Sequence, residues 1–353
     1  MNNEENEAAS YAMVMAELPT FIHFMKAALE LNLFQIISEY DEPVSALQLS
    51  SHLPKHNPQK TPALLGRMLR LFAAFSLLTC TLKTSDDAAA AAATPLYSLS
   101  RAGKYFVKNK DGGSFASLFI QHSEPVIQQA WHNLKDAVLE GVSPSYKAYG
   151  LEIFQVMSQH PKTSKLFNQA MTEMTTVRLK MLLQTYKGFV GIKSLVDIGG
   201  GSGTCLESII SVHPHIKGIN FDLQHVIEKA PPIPGVVHVA GNMFVSIPKG
   251  DAVMLKNVLH NWADEECLKI IRNCYDATPP EKGKVIVVEV ILPTMPTGID
   301  AKHACLLDSL MFISPGGKER TREEYVALSK GGGFSEVEFV CCFGGVWVME
   351  FHK

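Results

Sequence analysis

From residue 191 onward, short apolar runs alternate with stretches of helical periodicity. Ser194 to Ile198, Ile219 to Phe221, Val236 to Val239, Ala252 to Leu255 and Lys284 to Leu292 read as strands. Thr204 to Val212 and Asp264 to Ala277 read as helices, the second stopped by Pro279-Pro280. Such alternation predicts a parallel sheet covered on both faces. The last helix opens with a capping box, Thr321-x-x-Glu324, and stops at Gly331-Gly332-Gly333. Val337 to Phe343 and Val346 to Phe351, joined by Gly344-Gly345, predict an antiparallel hairpin. The fold class is α/β: a Rossmann-like doubly wound sheet whose terminal antiparallel hairpin departs from the dehydrogenase layout.

The first part of the chain follows a different pattern. Phe21, Phe24, Met25, Ala28, Leu31 and Leu33 make a nearly all-round apolar stretch, as in helices buried against something large. Pro43 to Leu53 and Thr61 to Leu78 read as further helices, and Leu77 to Lys83 and Pro95 to Leu99 as short strands. Ser85-Asp86-Asp87 and the run Ala88 to Ala93 read as an exposed insertion at a hairpin tip. This outline is mostly helical and winged-helix-like, which raises DNA reading as a function. A reading helix presents basic or amide side chains outward. Thr61 to Leu78 offers Arg67 and Arg70 amid Leu64, Leu65, Met68, Leu69 and Phe72, so it reads as a core or subunit-association helix. More helices follow from 111 to 190. The longest, His160 to Lys187, carries Phe167, Met171, Met174, Val177 and Met181 at helical spacing. Most of that stripe reads as core, but its methionines also suit a flat aromatic ligand. The chain thus divides into 1–110, a dimerisation domain, and 111–353, made of a helical pocket region, 111–190, and the sheet, 191–353.

Composition narrows the function. Apolar residues are 46% and charged residues 19% of 353, and the net charge is −3, which points away from nucleic acid and anionic membranes. The first ten residues are polar and acidic, and no apolar run reaches membrane-spanning length. Seven scattered cysteines give no disulfide framework, and thirteen histidines give neither H-x-x-x-H nor a carboxylate cluster. The expectation is a soluble cytoplasmic protein without metal.

The chemistry concentrates where strands end. Ser194 to Ile198 runs into Gly199-Gly200-Gly201-Ser202-Gly203, where missing Cβ atoms let the backbone turn tightly against a ligand. Asp222 closes the next strand, where an acid can accept hydrogen bonds from ribose hydroxyls. The dinucleotide fingerprint fails, because its last glycine is Thr204 or Leu206, and no Gly-Lys-Ser/Thr completes a P-loop. Strand, Asp, G-x-G-x-G, helix and acid suit an adenosine ligand without pyrophosphate. They look like the first motif of S-adenosylmethionine-dependent methyltransferases. His260 follows a strand at the same edge of the sheet. Glu289 interrupts an otherwise apolar strand, where a carboxylate requires either a salt bridge or a catalytic role. Glu319 lies in Pro315-Gly316-Gly317-Lys318-Glu319-Arg320, which alone reads as a solvated turn.

Three strings sharpen the resemblance: Leu255 to Leu268 around His260-Asn261-Trp262, Gly218 to Leu223, and Pro315 to Thr321. With them the chain resembles the plant caffeic-acid-type small-molecule O-methyltransferases over almost its entire length. The resemblance implies a homodimer whose N-terminal helices interlock and contribute to the partner's pocket. It implies His260 as general base between Glu289 and Glu319. For the cofactor it points to the loop with Gly199 and Gly201, to Asp222 and Leu223, to Asn242 and Met243 near the adenine, and to Lys256. We assign the hold on the second imidazole nitrogen to Glu319 rather than Glu289.

Acceptor-lining candidates are Phe154, Met157, Phe167, Met171, Met174, Asn261, Trp262, Leu306, Leu310 and Ser314. Members of the resembled group commonly have Asp where Asn261 stands, Gly-Asp-Met where Gly241-Asn242-Met243 stands, and His where Met157 and Met174 stand. A site without polar partners disfavours a charged, hydroxylated ring. The expected acceptor is therefore flatter and less charged than caffeate: a coumarin, flavonoid, simple phenol or alkaloid-like heterocycle. N-methylation of an aromatic amine or heterocycle is the alternative, and a non-enzymatic relative is a third reading.

Overall fold

Leu65, Leu69 and Phe72 recur on one side of the helix Thr61–Ala74, and burying that side organises the first of two structural units, Met1–Gln128 with Pro161–Thr176. The computed structural model describes residues 3–54, 56–83, 93–313 and 316–353. The three side chains share a core with Met25, Leu33, Phe34, Leu49 and Tyr97. Strands β1 (Val44–Ser45), β2 (Leu78–Lys83) and β3 (Thr94–Leu99) form an antiparallel sheet in the order β1-β3-β2. Two expected helices are shorter than their patterns. Pro43 to Leu53 contributes β1 and only Ala46–Ser50 as helix, capped by Ser45, and Thr61–Ala74 stops before Ser76, which takes a left-handed φ of 57°. The insertion expected at Ser85 to Ala93 lies outside the described residues up to position 92.

The helix Asn3–Glu30 buries only Met25 and Ala28 within its own chain and leaves Tyr11, Met13, Val14, Met15 and Ile22 exposed. By length and composition it could cross a bilayer, with 28 residues and a mean hydropathy of 1.2 in its most apolar window. The expectation of no spanning run therefore holds only for unbroken apolar runs, since Glu17, His23 and Lys26 interrupt this one.

The second unit is Gln129–His160 with Val177–Lys353. Its strands are β4 (Ser194–Ile198), β5 (Lys217–Asp222), β6 (Val236–Ala240), β7 (Ala252–Lys256), β8 (Lys284–Leu292), β9 (Arg320–Thr321), β10 (Glu336–Phe343) and β11 (Val346–His352). They run β10-β11-β8-β7-β4-β5-β6, with β9 paired to the end of β8. β4 to β8 are parallel, and the hairpin β10–β11 joins antiparallel to β8. Alternate side chains feed two cores: Val253, Leu255 and Val287 meet the helices Asp264–Ala277 and Arg322–Gly331, while Met254, Ile286 and Val288 meet Leu206, Ile209, Leu182 and Ala304. The helix Gly298–Met311 was not legible as one, because its apolar residues do not gather on one stripe.

Candidate active site

The chain leaves β4 to build β5 and β6 on one side, then returns to build β7 and β8 on the other. Sheets that switch direction in this way open a crevice beyond the carboxyl ends of the strands at the switch. The glycine loop lies at that edge, directly after β4. Gly201 has φ +59°, and a Cβ there would meet nothing within 4 Å, so the loop faces open space. At Gly200 a Cβ would fall 2.0 Å from Asn220 Oδ1, so only glycine fits. Asn220 Nδ2 donates to Gly201 O at 2.9 Å. The two oxygens of Asp222 accept the Gly201 and Leu223 N–H groups at 2.9 and 2.7 Å. Each keeps a lone pair that a hydroxyl can reach. Leu223 is exposed, and Asn242 accepts the Phe244 N–H at 2.9 Å while Met243 O accepts from Asn273 at 2.8 Å.

Beneath this loop Asp197 is buried, and its Oδ2 meets no hydrogen-bond partner among the described residues. Burial pushes its carboxyl up, Lys256 opposes that and Asp222 adds to it, leaving the pKa at about 7. A buried carboxylate oxygen without a partner calls for a cationic or donor group. An open glycine cradle, a ribose-competent acid and an unpaired carboxylate together fit S-adenosylmethionine, which carries adenosine and an ammonium. The residues that would hold it are the loop 199–203, Asp197, Asp222, Leu223, Asn242, Met243 and Lys256.

On the other side of the switch, β7 ends at Lys256. Asn257 turns through a left-handed φ of 54°, and the short 3₁₀ turn Leu259–Asn261 presents His260. Two buried charges grip this turn. Glu289 Oε1, from the interior of β8, accepts the N–H groups of Val258 and Leu259 at 2.8 and 2.9 Å. Arg320, wholly buried, donates to the carbonyls of Leu259 and Trp262 at 2.8 and 2.7 Å and holds Asp264 Oδ1 through Nε and Nη2. The Lys318 N–H donates to His260 O at 2.9 Å, and Asp308 accepts the Glu319 N–H at 2.9 Å. His260 Nδ1 then lies 3.0 Å from Glu319 Oε1 and 3.6 Å from Glu289 Oε2. Nδ1–H donating to Glu319 leaves Nε2 as the free acceptor, a tautomer inferred from these partners.

Burial works against the imidazolium, but the carboxylates of Glu289 and Glu319 outweigh it and raise His260 above the ordinary 6.5, with Arg178 pulling the other way. Burial raises Glu289 too, which His260 and the Val258 and Leu259 N–H groups oppose and Glu319 reinforces. The absence of a His–carboxylate cluster holds only along the sequence. In space His260, Glu289 and Glu319 converge within 4.8 Å, as do Glu338, Glu350 and His352.

The acceptor candidates scatter more. Asn261 Nδ2 donates back to Asn257 O at 3.1 Å and closes the turn. Trp262 packs edge-on to Phe244 at 4.8 Å, at the margin of the core. Met157 is buried, Leu310 half-buried, and Phe154 and Leu306 are 57% and 66% exposed in the single chain. Phe167 and Met171 are half-buried and Met174 buried in the first unit. Ser314 lies outside the described residues. Sequence reasoning took Asp197 only as the acid of the glycine motif, and it missed Asp308, Arg320 and Arg178 around the site. Arg320 hid in a charged run that looked solvated. Arg178 was discoverable, since it stands seven residues after Met171 on an apolar stripe.

Residues 131–335 match an O-methyltransferase domain and residues 16–109 an O-methyltransferase dimerisation domain. The chain belongs to the S-adenosylmethionine-dependent O-methyltransferase family. It is 45% identical to a caffeic acid 3-O-methyltransferase of Capsicum annuum, covering 100% of this chain and 98% of that one. It is also 45% identical to a Medicago sativa enzyme of the same name, covering 99% and 95%. Human N-acetylserotonin methyltransferase in complex with SAM has the same fold at a TM-score of 0.77, 21% identity and coverage of 100% and 99%. So does the SAH-bound calicheamicin-biosynthesis methyltransferase CalO1, at 0.79, 19%, 100% and 99%. The protein is an S-adenosylmethionine-dependent O-methyltransferase that forms a homodimer. N-methylation is not favoured, since the family and these relatives are O-methyltransferases.

Proposed function

We propose that this enzyme methylates a phenolic hydroxyl of a small plant aromatic, with His260 as the base. When bound, S-adenosylmethionine supplies a methyl group already activated by the sulfonium charge. The chain's own residues have to prepare the nucleophile. A phenol with a pKa near that of tyrosine, about 10, is protonated at neutral pH. His260 Nε2 accepts that proton as the oxygen attacks, while Nδ1–H stays on Glu319. The imidazolium forms beside two carboxylates, whose charge stabilises it. Such help is typically worth about 10²- to 10⁴-fold. Glu289 and Arg320 fix the turn, so the base need not be reoriented during reaction.

The observation that carries this reading is the 3.0 Å contact between His260 Nδ1 and Glu319 on a turn clamped from both sides. The curated relatives named above act on caffeic acid, which supports a phenolic acceptor. Apolar Met157, Met174 and Leu310 support one flatter and less charged than caffeate. N-terminal helices pairing through their exposed apolar side chains, and completing the partner's pocket, are part of the proposal. Seven free thiols support a cytoplasmic location.

A panel of phenols and anilines incubated with labelled S-adenosylmethionine tests the reading. Methyl ethers of uncharged phenols are expected. Methylated amines alone, or caffeate turned over as well as any coumarin, flavonoid or simple phenol, would contradict it.

A further inference from the structure

A row of polar side chains crosses the sheet beneath the glycine loop. Asp197 on β4, Asn220 on β5 and His238 on β6 are paired in lateral register, so all three project from one face. The rows on either side are apolar: Val196, Ile219 and Val237 before it, Ile198, Phe221 and Val239 after it. Asn220 is wholly buried and its Oδ1 meets no hydrogen-bond partner among the described residues, so Nδ2 alone orients the amide. One Nδ2–H goes to Gly201 O at 2.9 Å and the other to His238 Nδ1 at 3.0 Å. On the far side of the ring, His238 Nε2 lies 2.8 Å from Pro231 O. Both contacts select the same tautomer. A carbonyl accepts Nε2–H, which leaves Nδ1 as the acceptor that Asn220 requires, an assignment that follows from the partners. The ring also packs under Gly203, where a Cβ would come 3.3 Å from His238 Cε1.

Two strands, β4 and β5, separate β6 from β7, whose end carries the His260 turn, so His238 is remote from proton removal. We infer that His238 is a positioning residue for the methyl donor, acting through Asn220 on the glycine loop. Pro231 O fixes the ring, Nδ1 holds the Asn220 amide, and the amide holds the Gly201 carbonyl. The Gly201 N–H is held in turn by Asp222 Oδ2 at 2.9 Å. Gly201 is therefore gripped through both its backbone polar groups. The cradle and the ribose-competent acid stand as one piece before the donor arrives, so binding need not order them. Without the Nδ1 acceptor, a buried amide N–H loses its partner and the loop conformation becomes costlier to hold.

The inference rests on the donor's place against this loop, which Asp222→Asn tests separately. Calorimetry with S-adenosylhomocysteine, well below each melting temperature, compares the wild-type dimer with His238→Asn, His238→Gln and Asp222→Asn. Asparagine sets its Oδ1 where Nδ1 stands and keeps the acceptor for Asn220. Glutamine sets its amide where Nε2 stands, so it keeps the Pro231 bond and withdraws that acceptor. His238→Gln is expected to bind about tenfold more weakly and His238→Asn within about threefold of wild type. In turnover the His238→Gln loss should appear in KM for S-adenosylmethionine rather than in kcat. Affinities that are alike in the two His238 variants, whether both kept or both lost, overturn the inference, because the ring would then serve packing alone. Asp222→Asn should itself weaken binding about tenfold or more, as an amide accepts fewer hydroxyl bonds. Unweakened binding by that variant would put the donor off this loop and overturn its placement together with the role of His238.

Discussion

Two buried glutamates on neighbouring strands, Glu289 on β8 and Glu350 on β11, show how similar burial serves different ends. Both sit in strands that are otherwise largely apolar, and both are removed from water. Glu350 is matched: Oε1 accepts from the Tyr186 hydroxyl and from Lys284 Nζ at 2.7 Å, and Oε2 lies 3.4 Å from His352. Burial and the neighbouring carboxylate drive the Tyr186 phenol far above its ordinary pKa, so it stays a donor. Glu289 spends one oxygen on two backbone N–H groups and leaves the other facing His260 at 3.6 Å, without a hydrogen bond among the described residues. Burial of a charge is therefore a poor marker of chemistry. An oxygen buried without a hydrogen bond beside a titratable ring, as Glu289 Oε2 is and Glu350 Oε2 is not, is a better one.

That contrast can be broken at several points. Among the residues around His260, the largest effect on turnover is expected at Glu319. Glu319→Gln should lower kcat/KM by about 10²-fold or more, because an amide no longer enforces the Nδ1–H tautomer. The pH profile gives its signature: if neutral His260 is the base, as proposed, wild-type kcat/KM should rise with pH through a pKa above 6.5. Losing the Glu319 charge should move that limb to lower pH, and an unmoved limb would detach Glu319 from the base. Arg320→Ala should cost roughly 3–5 kcal/mol in denaturant unfolding, since it strands two carbonyls in a dry core. A loss under about 1 kcal/mol would show that the turn needs no clamp. Glu350→Gln should cost about 1–3 kcal/mol of stability yet leave turnover within about twofold. A large drop in turnover would erase the distinction between the two glutamates. The smallest effect is expected at Asp197. Asp197→Asn should weaken S-adenosylhomocysteine binding about tenfold at pH 8 and less at pH 6, because the wild-type carboxyl, at about 7, is already partly protonated there. Identical losses at both pH values would remove Asp197 from the ammonium site.

Much of this architecture is legible in the sequence where local pattern and burial agree. The strands Ser194–Ile198 and Lys284–Leu292 and the helices Thr204–Val212 and Asp264–Ala277 fall on their expected bounds, because each is a clean apolar run or amphipathic stretch. Gly298–Met311 lacked such a stripe and was invisible. Thr61–Ala74 ended early for a backbone reason, the left-handed Ser76, that no periodicity encodes. For the site, glycines, Asp222 and His260 announce themselves by standing where strands end. Lys318-Glu319-Arg320 does not: three consecutive charges read as solvated, yet Glu319 and Arg320 are buried because β9 docks on the end of β8. Long-range pairing decided that, and a single sequence carries no trace of it.

In the proposed mechanism His260 removes the acceptor's proton and does not hold the donor. His260→Ala, assayed for turnover of its best phenol and for S-adenosylhomocysteine affinity by calorimetry, separates the two roles. Turnover about 10²- to 10⁴-fold lower with affinity within about twofold of wild type is the predicted result. Turnover near wild type, or affinity lost along with it, would contradict the account.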